Sequence, residues 1–148
     1  MFNGMNITAS ALTAQRLRMD VVSSNMANAE STRAKLVDGE WQPYQRKSVV
    51  LQPKENSFSN FLQAASNSKN TGNGVKVTKI IEDTETPNKL IYDPEHPDAN
   101  EEGYVSMPNV DPLREMVDLM STTRSYEANV TVFNASKAMM TKALEIGK

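Results

Sequence analysis

The chain has 148 residues, enough for one modest domain or for a small domain carrying helical arms. Hydrophobic residues make up 39% and aromatics only 6%, with a mean hydropathy of -0.53, which is thin for a conventional globular core yet too apolar for wholesale disorder. A net charge of -2 with no Lys/Arg stripe argues against nucleic acid as a partner, and the absence of cysteine excludes disulfides and thiolate chemistry.

Residues 5–29 read as a helix. Met5, Leu12, Met19 and Met26 recur every seven residues, and Thr8, Gln15, Val22 and Ala29 fill the intervening positions of the same stripe. Ile7, Ala11, Ala14 and Val21 form a second apolar line. Two lines with many small residues suit close contact with several neighbours, although an ordinary amphipathic core helix gives a similar pattern. Arg16, Arg18 and Asp20 interrupt the place where the apolar core of a signal peptide would lie, so export is expected to leave the N-terminal segment attached. No apolar run approaches the roughly 18 residues of a membrane span, and direct membrane insertion is not expected.

The middle of the chain differs. Val49, Val50 and Leu51 make a short β-like run after Trp41 and Tyr44. Residues 52–74, rich in Asn, Ser, Lys and Gly, read as a flexible loop. Val75, Val77 and Ile80 alternate with Lys76, Thr78 and Lys79 in strand fashion, and Leu90, Ile91 and Tyr92 give another short strand. Pro94, Pro97, Gly103 and Pro108 punctuate the stretch to Asn109, with a Tyr104-Val105 strand inside it. This is a small β-rich module.

The second helix is better signalled. Asp111 is a good N-cap and Pro112 occupies the first helical position, where its missing N–H is no loss. No proline or glycine follows until Gly147, which leaves about 35 residues, or roughly 50 Å of helix. Leu119, Tyr126, Phe133 and Met140 hold one heptad position; Met116, Thr123, Val130, Lys137 and Leu144 hold the other. The expected fold is α+β: long N- and C-terminal helices packed as an antiparallel coiled coil, with the β-rich module inserted between them. Residues 1–33 plus 110–148 would form the coiled-coil unit and 34–109 the β-rich unit.

Catalysis has little to work with. His96 is the single histidine, set between Glu95 and Pro97, and without cysteine no Cys–His dyad can form. Glu82, Asp83, Glu85, Asp93, Glu95, Asp98, Glu101 and Glu102 cluster in sequence, but Pro94 and Pro97 break any calcium-loop spacing. A solvated acidic surface is the simpler reading. Gly72-Asn73-Gly74 is too short for a phosphate-binding fingerprint. The nine methionines lie mainly on the helical stripes, as adaptable packing residues. No catalytic residue, metal site or cofactor is expected.

Three stretches carry a resemblance. The first, Ser23-Ser24-Asn25-Met26-Ala27-Asn28-Ala29-Glu30-Ser31-Thr32-Arg33, resembles the signature of the flagellar rod, hook and hook-associated axial proteins, with an Asn-x-x-Asn core ending the first helix. The second is Tyr92-Asp93-Pro94-Glu95-His96-Pro97-Asp98-Ala99-Asn100, followed by Gly103-Tyr104-Val105 and Pro108-Asn109-Val110-Asp111. The third is Glu115-Met116-Val117-Asp118, then Arg124-Ser125-Tyr126-Glu127-Ala128-Asn129, then Lys137. Together they resemble the flagellar basal-body rod protein family, in its FlgC-type proximal-rod branch. Ser31-Thr32-Arg33 stands where the wider family has Thr-Pro-Gly-aromatic, which points away from the distal rod and hook.

The resemblance implies a structural subunit of the proximal rod, exported by the flagellar type III apparatus and located in the basal body, in the periplasm or cell-wall space. Its expected partners are copies of itself, other rod proteins and the adaptor to the MS ring. Interface residues are then expected at Met5, Leu12, Met19, Val22 and Met26, against Leu119, Tyr126, Val130, Phe133 and Met140. Asn25 and Asn28 should fix the helix end, and Arg124, Glu127 and Asn129 should set register. Arg33, Asp93, Pro94, His96, Pro97 and Asn109 complete the family motifs. Composition alone also leaves open a secreted helical-hairpin adaptor that holds a basic partner with its acidic loop.

Overall fold

The computed structural model describes residues 2–54 and 73–147. Among the described residues, two long helices flank three antiparallel strand pairs. Helix α1 spans Phe2–Ala27 and α2 spans Pro112–Ile146. The strands are β1 (Lys35–Val37), β2 (Glu40–Gln42), β3 (Lys47–Pro53), β4 (Val75–Glu82), β5 (Lys89–Tyr92) and β6 (Tyr104–Met107).

Helix α1 stops two residues short of the expected Ala29 because the chain tightens at its end. The Ala29 amide bonds the Met26 carbonyl, and the Asn28 side chain takes the Ser24 carbonyl at 2.9 Å. Such local competition for carbonyls is how asparagine ends helices. Helix α2 begins as its sequence dictates: the Asp111 carboxylate accepts from the Leu113 amide at 3.1 Å and Pro112 follows the cap.

The strands do not merge into one sheet. β1 pairs with β2, β3 with β4 and β5 with β6, each as a separate antiparallel ladder. The β1–β2 hairpin is absent from the sequence expectations, yet its signal was present. Asp38 and Gly39 adopt φ of 52° and 89°, the left-handed pair that a two-residue hairpin loop requires. Gln52 and Pro53, expected in the loop, belong to β3, where proline is tolerated at a strand end. Of the remainder of that expected loop, residues 55–72 lie outside the described residues.

A two-stranded ladder is marginal alone. β3 and β4 gain support by lying along α1. The approach is close at Gly74: a Cβ there would overlap Ser10 Oγ, and the Gly74 φ of +91° excludes most other residues. Ser10 Oγ accepts from the Val75 amide at 3.1 Å, which ties the start of β4 to α1.

The two helices pack against each other and run antiparallel. Asn25 meets Glu115, and six residues earlier Met19 Sδ lies 3.7 Å from Thr123 Oγ1. The core is small and partly polar: Ala14, Val21, Val22, Tyr44, Val105 and Val110 are buried together with Thr8, Asn25, Asn109, Glu115 and Thr122. In α2 the buried side therefore holds polar Glu115 and Thr122, while Met116 and Leu144 of the expected heptad are exposed. Glu115 is held inside because Asn25 and Arg46 meet its carboxylate, and Thr122 returns its hydroxyl to the Asp118 carbonyl of its own helix.

Candidate assembly interface

A buried polar node joins α1, β3 and α2. Asn25 is fully buried and uses every hydrogen-bonding position of its amide. Its Nδ2 donates to the Lys47 carbonyl at 2.8 Å and to Glu115 Oε2 at 2.9 Å. Its Oδ1 accepts from the Lys47 amide at 2.9 Å and from the Tyr44 hydroxyl at 3.0 Å. Glu115, also fully buried, receives Arg46 Nε on its other oxygen at 2.6 Å. Arg46 reaches on to Asp118 at 3.4 Å, and Arg18 approaches the same carboxylate at 3.8 Å. A buried carboxylate is costly unless each oxygen is met, and each is met here.

Asn109 extends the node toward the strands. Its Oδ1 accepts from the Arg46 amide at 2.7 Å, and its Nδ2 donates to the carbonyls of Asp83 and Thr86 at 2.8 and 3.1 Å. These bonds fix where β3 leaves the helices and where α2 begins.

A second, more exposed clasp holds the connection between β5 and β6. Thr32 Oγ1 donates to Asp98 at 2.7 Å, and Arg33 pairs with the same carboxylate. The Arg33 and Thr32 hydrogen bonds hold the Asp98 carboxyl below the usual carboxylate range. His96 Nδ1 accepts from the Asp98 amide at 3.1 Å, so that ring atom serves the turn. Asp93 receives the Glu95 amide, and Asn100 Oδ1 receives the amides of Glu102 and Tyr104. Asp83 is held low in the same manner, first by the Thr86 amide and then by the Thr86 hydroxyl. The acidic stretch is thus a set of side-chain-capped turns. Among the described residues, no group of three or more His, Asp or Glu side chains is placed to hold a metal ion, and no helix is long and apolar enough to cross a membrane.

The expected interface residues fall on the half-buried sides of their helices. Val22 is buried; Met5, Leu12, Met19 and Met26 are half-buried, as are Leu119, Tyr126, Val130, Phe133 and Met140. Of the motif residues, Asn25, Asn28, Arg33, His96 and Asn109 make the bonds described above, while Pro94 and Pro97 sit exposed in the β5–β6 connection. Asn129 turns its amide back to the Ser125 carbonyl at 2.8 Å. Arg124 and Glu127 are exposed. Arg46 and Tyr44 were absent from the expected set, and Glu115 stood in a motif stretch without an assigned role. Glu115 in a first helical turn reads as a partner for the helix dipole, and nothing local pairs it with Arg46, which lies 69 positions away.

Two family models match the chain: "Flagella basal body rod protein" over residues 5–35 and "Flagellar basal body rod FlgEFG protein C-terminal" over residues 101–146. The chain is 66% identical over 148 residues to the flagellar basal-body rod protein FlgC of Bacillus subtilis, covering 99% of this chain and 98% of the relative. It is 47% identical over 148 residues to FlgC of Escherichia coli O6:H1, covering 100% of this chain and 98% of that relative. It is 41% identical over 157 residues to FlgC of Borreliella burgdorferi, covering 99% and 97% respectively. With similarity that runs the full length of both chains, and with both matched segments meeting in the α1–α2 hairpin, this chain belongs to the FlgC family of flagellar basal-body rod proteins.

Proposed function

We propose that the chain builds the proximal rod by packing its terminal helices against those of neighbouring subunits, and that it transmits motor torque through that packing. The observation that carries this reading is the α1–α2 pairing. It brings the two segments matched by rod-family models, residues 5–35 and 101–146, into one antiparallel hairpin with exposed outer faces. The secreted-adaptor reading has no comparable support, since the full-length relatives are rod proteins. Rod proteins form a structural family, and a structural rather than enzymatic role follows from membership.

In this reading residues 1–33 and 110–148 form the axial, coiled-coil part of the rod and residues 34–109 the outer module. The half-buried methionines of both helices supply adaptable packing where subunits meet. Copies of the chain, other rod proteins and the adaptor to the MS ring are the neighbours, in the periplasm or cell-wall space. The type III apparatus exports the chain with its N-terminal segment retained, which is supported by the place of α1 in the fold: its removal would strip Asn25 from the buried Glu115.

Deletion of the gene tests the function, scored for swimming and for filaments by electron microscopy. The expected result is immotile cells without filaments, rescued by the full-length copy and not by a copy lacking residues 1–29. Motile cells with normal filaments would overturn the proposal.

A further inference from the structure

The faces of α1 and α2 that point away from each other are complementary. On α1 the outward line runs through Ala9, Thr13, Arg16, Asp20, Ser23 and Ala27, all exposed. Its side chains are short apart from one cation and one anion. On α2 the outward line begins with large apolar groups: Leu113, Val117 and Met120 are 74%, 60% and 56% exposed. Exposed Arg124 and Glu127 follow. Among the described residues, none of Arg16, Asp20, Arg124 and Glu127 takes part in a salt bridge, although each helix places its own two charges within one turn of each other.

We infer that the outward face of α2 receives the outward face of α1 from a second copy of this chain, antiparallel, with Asp20 against Arg124 and Arg16 against Glu127. The order of charges decides the direction. Cation precedes anion in both helices, so only the antiparallel arrangement matches opposite signs at both positions. In that register Ser23 lies opposite Met120 and Ala27 opposite Val117, so short side chains meet long ones and the backbones can approach. Copies stacked with one common polarity present α1 and α2 to each other in this antiparallel sense without any reversal.

The register has a geometric consequence. Within one chain Asn25 lies opposite Glu115 and Met19 near Thr123. Between copies the charge pairs lie two to three residues further along, which is an axial offset of roughly 4 Å per copy at 1.5 Å per residue. A heterologous contact with a non-zero axial step generates an open helix and not a closed ring. The inference rests on assembly through the terminal helices and adds to it a register, a polarity and a sense of growth.

Charge reversal tests the pairing in cells carrying the chain as their only copy. R16E and E127R should each reduce swimming at least tenfold, and the R16E/E127R double variant should restore it; D20K and R124E should behave likewise. All four residues are exposed and outside the α1–α2 packing, so the single variants should fold. The chain has no cysteine, so R16C/E127C adds only two thiols, and oxidation of isolated basal bodies should give a ladder of linked copies. Loss without rescue, or swimming undisturbed by the reversals, together with no ladder, would overturn the pairing while leaving terminal-helix assembly intact. Full rescue of a gene deletion by the copy lacking residues 1–29 would instead overturn the underlying assembly reading.

Discussion

Asn25 and Glu115, 90 positions apart in the chain, share a 2.9 Å hydrogen bond in a region closed to solvent. The bond helps set the register of α1 against α2, because both partners lose water on folding and a shift would leave Glu115 Oε2 without its donor. Buried polar groups that fit in one arrangement favour that arrangement over its shifted neighbours.

Replacement of Asn25 by Ala should therefore cost about 3 kcal/mol, since it removes the donor to Glu115 Oε2 and the acceptor for the Lys47 amide and the Tyr44 hydroxyl. Urea unfolding of the purified chain measures this. A change below about 0.5 kcal/mol would mean that water replaces the amide without loss.

Arg46→Ala should cost about 3 to 5 kcal/mol, because it leaves the fully buried Glu115 without its cation. Joint replacement by apolar residues, R46M/E115L, should be much closer to neutral. A double-mutant cycle separates the two effects, and simple additivity would refute the coupling.

The clasp on Asp98 makes a pH prediction. Its folded carboxyl is held below the usual carboxylate range, chiefly by the Arg33 and Thr32 hydrogen bonds. A carboxyl with a depressed folded pKa contributes stability that is present above its unfolded value and is lost as pH falls through its folded value. Protection of the β5–β6 connection from proteolysis or hydrogen exchange should thus be level at neutral pH and fall only as pH drops below about 4. The D98N variant should lack that acid-dependent step and show the weakened state throughout.

At Gly74 an alanine should cost about 1 to 3 kcal/mol. Its backbone is left-handed, and the new methyl group would displace Ser10 Oγ from the bond that anchors β4. S10A alone should cost less, because it loses that bond without the strain. Equal effects would show that the close approach does not matter to the hairpin's docking.

Much of this architecture was legible locally. Asp111 and Pro112 fixed the start of α2, and period-two alternation marked β4, because caps and strand faces are governed by residues within a few positions. Asp38-Gly39 carried a hairpin signal that was equally local but lay between strands of three residues each, too short to show periodicity.

The family motifs were likewise plain in the sequence, and with them the membership in a rod-protein family. What the sequence alone could not decide was which line of α2 faces inward. Polar Glu115 is closed to solvent while apolar Met116, its chain neighbour, stays exposed, the reverse of what an apolar count favours. Only the tertiary structure brings Arg46 and Asn25 to Glu115 from 69 and 90 positions away, and a carboxylate becomes a core residue when distant groups supply the hydrogen bonds that water would otherwise provide.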